Sequence, residues 1–166
     1  MVDFLVNNLA IRSLSLNDRT WLPTFFAERW GADLIVAHGV AYIPSQLDGF
    51  VAEINADVVG VLTYRIEDDA CEVVSLDSLQ SGRGIGTALI AAIHTHAQAT
   101  GRNRLWLITS NDNLNALRFY QTRGFVLVAV HRGAINTARM LKPQIPLIGE
   151  DSIPIRDEIE LEIILS

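Results

Sequence analysis

Residues 80–86, Gln80-Ser81-Gly82-Arg83-Gly84-Ile85-Gly86, separate an apolar run of β character, Cys71-Glu72-Val73-Val74-Ser75-Leu76, from one of helical character, Thr87-Ala88-Leu89-Ile90-Ala91-Ala92-Ile93. This order predicts a strand, a glycine loop and a helix. Gly82, Gly84 and Gly86 remove Cβ atoms where backbone has to approach something closely. The free N–H groups of the helix start, with the positive end of its dipole, then point at the same place. The ligand chemistry such a loop favours is a phosphate or pyrophosphate.

Spacing decides among phosphate binders. A P-loop requires Lys-Ser or Lys-Thr after its last glycine, whereas Gly86 is followed by Thr87-Ala88. A dinucleotide fingerprint requires G-x-G-x-x-G and an acidic residue about 20 positions on; here the glycines run G-x-G-x-G, and no acidic residue falls between Asp77 and Asp112. Both nucleotide signatures fail.

A second motif follows another strand-like run, Arg104-Leu105-Trp106-Leu107-Ile108-Thr109. It reads Asn113-Leu114-Asn115-Ala116-Leu117-Arg118-Phe119-Tyr120-Gln121-Thr122-Arg123-Gly124-Phe125. In this order and on these elements, the two motifs resemble those of the GNAT superfamily of acyl-CoA-dependent N-acyltransferases, [Q/R]-x-x-G-x-[G/A] and N-x-x-A-x-x-[F/L]-Y-x-x-x-G-F. Asn113, Ala116, Phe119, Tyr120, Gly124 and Phe125 match the second. Gly84 and Gly86 match the first, but Ser81 stands at its opening Gln/Arg position, with Gln80 one residue early. The resemblance spans residues 9–133. It implies one α/β (α+β) domain over residues 1–166, a mixed, mostly antiparallel sheet of about six or seven strands flanked by about four helices and splayed at the acyl-CoA site.

Along the chain, residues 5–14 predict a first strand and 16–30 a helix stopped by Gly31. Residues 38–46, with Gly39 and Pro44, read as loop. Strands follow at 49–55 and 58–66 around an Asn55-Ala56-Asp57 hairpin, then at 71–76 after the turn Glu67-Asp68-Asp69. The helix after the glycine loop carries Ile85, Leu89, Ala92, Ile93 and His96 on one face and ends at Gly101. A strand at 104–109, the Asn113 helix and a strand at 125–130 continue the order. Beyond Gly133 the chain departs from a minimal member of the family. A short helix at 134–141 precedes Pro143, Pro146 and Pro154, and the alternating Glu158-Ile159-Glu160-Leu161-Glu162-Ile163 reads as a last strand. A lid over the acceptor, a dimer element and an ordered surface loop are all open readings of 134–157.

The resemblance also implies site residues. Coenzyme A, as acetyl-CoA the cosubstrate, would set its pyrophosphate on the backbone of Ser81, Gly82, Arg83, Gly84, Ile85 and Gly86, with the Arg83 side chain and the Thr87 hydroxyl as further donors. Its pantetheine arm would pair with the strand edge Val74-Ser75-Leu76 and meet Asn113, Ala116 and Tyr120. The Leu76 N–H or a neighbour would hold the thioester oxyanion. Tyr120 is the expected general acid for the leaving thiolate, against a core tyrosine beside Leu117 and Phe125. Asn113 is read against a helix cap. For the general base Glu72 leads, on one strand face with Val74 and Leu76, with Asp77, Glu53 or a water chain as alternatives and a plain surface carboxylate as the bland reading of Glu72.

No serine or cysteine triad is indicated, because Cys71 has no identifiable histidine and Ser75 and Ser110 lack elbow glycines. His94 and His96 point apart on a helix and His38 and His131 stand alone, so no metal is expected. Asp157, Glu158, Glu160 and Glu162 either attract a cationic amine or form the solvated side of an edge strand.

Bulk properties agree. The chain has 166 residues, is 49% hydrophobic and 19% charged, and carries a net charge of −6. That balance argues against nucleic acid or an anionic membrane as partner. No apolar run reaches about 18 residues, and Met1-Val2-Asp3-Phe4 lacks a basic segment, so a cytoplasmic protein is expected. The single cysteine precludes an internal disulfide. The expected partner is a small-molecule or protein amine, with a homodimer possible in principle; a non-catalytic acyl-CoA-binding or sensor module is the alternative function.

Overall fold

A computed structural model describes residues 8–166. In chain order the elements are β1 Leu9–Ser13, α1 Leu22–Trp30, β2 Ile35–Ala37, β3 Val40–Tyr42, β4 Asp48–Ile54, β5 Asp57–Glu67, β6 Ala70–Ser78, α2 Ile85–Ala99, β7 Arg104–Ser110, α3 Leu114–Gln121, β8 Val126–His131, α4 Ala134–Leu141 and β9 Glu158–Ile164. Seven strands form one sheet in the order β1-β4-β5-β6-β7-β9-β8, and β2 and β3 form a separate hairpin. Only β6 and β7 pair in parallel within the large sheet. Among the described residues no helix is long and apolar enough to cross a membrane.

The apolar faces explain the layering. Leu89, Ile93 and Ala97 of α2 lie on Leu62, Val73, Leu105, Leu107 and Leu161 of the sheet, and Tyr120 and Phe125 close the same core. On the opposite face Leu22 and Phe26 of α1 cover Val61, while the β2–β3 hairpin covers Val74 and Ile108.

Four expectations change. The predicted helix over 16–30 is a 3-10 turn, Leu16–Thr20, followed by α1. Arg12 holds Asp18 with two hydrogen bonds of 2.7 and 2.9 Å, and the Ser15 N–H adds one of 2.7 Å. Pro23, lacking an N–H, then suits the first turn of a new helix. The predicted loop at 38–46 holds the β2–β3 hairpin, whose strands of three residues are too short to show a period. Its turn is His38-Gly39, with φ of 42° and 79°. The last strand is interior rather than an edge: β9 pairs with both β7 and β8, and among the described residues the outermost strands are β1 and β8. Of the predicted first strand, residues 5–7 lie outside the described residues.

The fourth change shapes the site. β6 and β7 pair only from Ala70 to Val73 and Arg104 to Leu107, after which β6 stays with β5 and β7 with β9. Opposite this parting, Thr63 faces Ser75 and Tyr64 faces Val73, leaving Val74 as a one-residue bulge. A bulge bends its strand and shifts the alternation of side chains. Glu72, Val74, Ser75 and Asp77 therefore face α1 and the hairpin, and Leu76 turns to the α2 core. The expected common face of Glu72, Val74 and Leu76 is broken by that extra residue.

Candidate functional site

The glycine loop ends at Gly84, which caps α2 at φ 73°. The first helical bond runs from the Ala88 N–H to the Gly84 carbonyl, 2.9 Å, so the N–H groups of Ile85, Gly86 and Thr87 precede the helical ladder and no side chain caps them. The three glycines serve different ends. Gly82 and Gly84 have positive φ and open space where a Cβ would stand, while a Cβ on Gly86 would lie 3.1 Å from the Phe119 ring. At Gly86 the missing Cβ leaves room for the Phe119 ring of α3, while the residue also lines the outer groove.

Arg83 is exposed and donates to the Gln80 side chain at 2.9 Å. The Thr87 hydroxyl accepts from Arg123 at 2.7 and 3.0 Å, and the Arg123 guanidinium sits 3.6 Å over the Phe119 ring. Arg123 thus adds a cation beside the α2 start that the motif reading passed over. Its signal was the aromatic residue four positions earlier, which a helix sets on the same face.

Three cavities adjoin at the parted strands. An outer groove of about 340 Å³ is lined by Leu76, Ser78, Ser81, Gly86, Asn115, Ala116, Phe119 and Tyr120. A narrow gap of about 100 Å³ between β6 and β7 shares Leu76, Ala116 and Tyr120 with it and adds Val73, Val74, Ser75 and Leu107. That gap shares Trp30, Val74, Ile108, Thr109 and Asn113 with an inner cavity of about 360 Å³ on the α1 face. The expected Val74, Ser75, Leu76, Ser81, Gly86, Asn113, Ala116 and Tyr120 therefore meet along one path. Gly82, Arg83, Gly84, Ile85 and Thr87 line none of the three spaces, although they flank Ser81 and Gly86 in the chain, and the Ile85 side chain is packed in the α2 core.

Tyr120 is buried, edge-on to Phe119 and Phe125. Its hydroxyl has no hydrogen-bond partner among the described residues, yet no buried side-chain polar atom there is left unsatisfied, so the oxygen reaches the cavity. Burial, seconded by the Asp77 carboxylate, raises the phenol above its ordinary pKa. Asn113 is the cap of α3, its Oδ1 accepting from the Ala116 N–H at 3.1 Å. Asn113 also lines the two inner spaces.

The expected bases lie elsewhere. Glu53 pairs with Arg12 on β4, two strands from the gap. Asp77 is held by the Trp30 indole at 3.0 Å and Arg29 at 3.3 Å. Glu72 lies 2.7 Å from His38 Nε2 and accepts from the Tyr42 hydroxyl at 3.1 Å; it lines a separate cavity with Arg65, Arg104 and Trp106. None of the three lines the path, and His38 is not solitary, since the β2–β3 turn carries it onto Glu72.

The acidic residues of β9 are not a solvated face either. Glu160 and Glu162 pair with Arg104, and His131 lies 2.8 Å from Glu160. Asp157 accepts from the Gly133 N–H and pairs with Arg156. Glu158 is 1% exposed, lines the inner cavity, and accepts from the His38 backbone N–H at 3.0 Å. Burial raises its pKa above the ordinary carboxylate range, the His38 hydrogen bond opposing. The 134–157 segment supplies a wall of this cavity through Ile135, Lys142, Gln144, Ile145, Pro146 and Ile155. Cys71 is core, its thiol pushed up to about 12 by burial.

Comparison with known proteins bears on this path. The chain is 43% identical over 142 residues to the uncharacterized protein YxbD of Bacillus subtilis (strain 168), covering 84% of this chain and 89% of that one. Its fold is similar to that of an IAA acetyltransferase from Bacillus cereus ATCC 14579, with a TM-score of 0.69 at 22% identity over 95% of this chain and 100% of the other. It is also similar to a Bacillus subtilis acetyltransferase solved in complex with CoA, with a TM-score of 0.68 at 20% identity over 96% and 100%. A model of the acetyltransferase (GNAT) family matches residues 15–125, and the chain belongs to that family.

Proposed function

We propose that the protein transfers an acetyl group from acetyl-CoA to a primary amine by direct attack in a ternary complex. The observation that carries this reading is the path from the uncapped start of α2, through the gap between β6 and β7, to a cavity on the opposite face. The fit to CoA is chemical. Unspent N–H groups of Ile85, Gly86 and Thr87, with Arg83 and Arg123 beside them, suit a pyrophosphate. The β6 edge past Val73, unpaired on the β7 side, suits an amide-bearing arm. Support also comes from the structural relatives that hold CoA or, in a GNAT family acetyltransferase from Elizabethkingia anophelis, acetyl-CoA.

The amine nitrogen attacks the thioester carbonyl, forming C–N and breaking C–S. A β6 N–H at or near Leu76 steadies the carbonyl oxygen as it gains charge. Tyr120 gives its proton to the departing sulfur and is restored by the proton the new amide nitrogen sheds, so amine plus acetyl-CoA gives amide plus free thiol. Glu72, occupied by His38 and Tyr42, takes no part in this scheme. The test is thiol release from acetyl-CoA with a panel of primary amines. Tight acetyl-CoA binding without release for any amine would replace this reading with that of a binding module.

A further inference from the structure

Two buried charges in the inner cavity have no ionic partner. Glu158, 1% exposed, accepts from a backbone N–H and enters no ion pair among the described residues. Lys142, 5% exposed, donates to the Trp30 and Leu34 carbonyls, both at 2.7 Å, and also has no carboxylate partner there. An ammonium has three donors, so one remains. Arg29, at the same cavity, uses only Nε on Asp77. Unpaired buried charges are costly, and opposite charges free to meet would do so. Glu158 and Lys142 line one cavity without touching, a geometry that suits a ligand carrying both complementary charges.

Resting on the acetyl-transfer reading, we propose that the acceptor is a free amino acid with an apolar side chain, its ammonium directed to Glu158 and its carboxylate to Lys142 and Arg29. Ile35, Ile108, Ile135, Ile145 and Ile155 surround the apolar body. A volume of about 360 Å³ is near the small end of ligand pockets, roughly 300 to 1,000 Å³, which suits one amino acid rather than a folded peptide. A diamine is disfavoured, since its second ammonium would face Lys142 and Arg29. Before attack the ammonium passes one proton to the Glu158 carboxylate, which releases it to solvent as product leaves; burial makes that carboxylate a stronger base.

Calorimetry on the full chain saturated with CoA tests the cavity without turnover. The probes are leucine, methionine and phenylalanine, each beside its decarboxylated amine and its deaminated acid. At least one amino acid is expected to bind tenfold or more tighter than both counterparts. Glu158→Gln is expected to remove the preference over the deaminated acid, and Arg29→Gln, which spares the Lys142 staple, to narrow the preference over the amine; Lys142→Met repeats the second test if it folds. An amine or acid binding as tightly as every amino acid, or no binding by any of the nine, overturns the proposal. Selective binding with no acetylation would leave the cavity assignment standing and remove acetyl transfer.

Discussion

The outer groove and the inner cavity meet at one gap but are built of different material. The groove offers backbone: N–H groups ahead of the α2 ladder, two glycines in left-handed conformation, and a strand edge freed where β6 leaves β7. The cavity offers side chains from α1, β2, β6, β7, α4 and β9, with a buried carboxylate and a buried ammonium among isoleucines. Backbone presents the same groups whatever the residue, so it suits a part of the ligand that never varies. Side chains set specificity, and a substitution there leaves the path intact. The two halves should therefore fail differently when altered.

Tyr120, shared by the groove and the gap, is where the largest effect is expected. Tyr120→Phe keeps the ring and should lower kcat about 100-fold or more, with CoA binding and melting temperature nearly unchanged. Unaltered kcat under conditions where chemistry limits the rate removes Tyr120 from the mechanism. Because burial raises the phenol, no loss of rate from its ionisation is expected below pH ~10. The same raised pKa contributes stability that is present below pH ~10 and declines above it, as the unfolded tyrosine ionises first.

A second pair of variants separates the glycines. At Gly86 a side chain meets Phe119, so Gly86→Val should cost ~1–3 kcal/mol through overpacking, and Phe119→Leu in the same chain should recover part of it. Gly82→Ala meets open space but must adopt a φ of 71°, which costs about 1–2 kcal/mol and is not recovered by Phe119→Leu. Denaturant unfolding of these four variants, beside wild type and Phe119→Leu alone, reads both. Equal recovery in both backgrounds contradicts the division of roles.

The same division explains what the sequence disclosed. Loop and helix start are local, so Gly82, Gly84 and the Asn113–Phe125 spacing announced strand, turn and helix before any contact was known. The α4 helix was legible for the same reason. Glu158 was not: Glu160 and Glu162 on the same strand face stay partly exposed, and Glu158 is distinguished by the His38 N–H of the hairpin and its place in the inner cavity beside residues of the 134–157 segment, contacts that alternation does not carry. The bulge at Val74 turned Leu76 to the other face. Glu72 lies off the path because β6 is still paired with β7 there and the β2–β3 hairpin, whose three-residue strands carry too little period to read, brings His38 and Tyr42 onto it.

Arg123 tests the outer groove at smaller scale. It rests on Phe119, which lines the outer groove, and on the Thr87 hydroxyl in the first turn of α2. Arg123→Ala should raise the KM for acetyl-CoA roughly tenfold, about 1–2 kcal/mol for a charge-assisted contact, with kcat little changed. A loss confined to kcat would move Arg123 from phosphate binding to the chemistry. Raising the salt concentration should shrink the difference between wild type and variant, since the contact is exposed.

The smallest expected effect is at Asn113, where the two halves share a residue and a structural role competes with a binding one. Its Oδ1 caps α3 through the Ala116 N–H, and the residue lines both the gap and the inner cavity. Asn113→Ala deletes both functions and should cost about 1 kcal/mol of stability, a fall of roughly 2–4 °C in a chain of this size. Asn113→Asp deletes only one. The carboxylate still accepts from Ala116 and its charge is favoured at a helix start, so melting should hold or rise, while the lost N–H donor should raise the KM for acetyl-CoA a few-fold. If the aspartate variant binds acetyl-CoA as wild type does, Asn113 is a cap alone, and the arm is held at this point by β6 without help from α3.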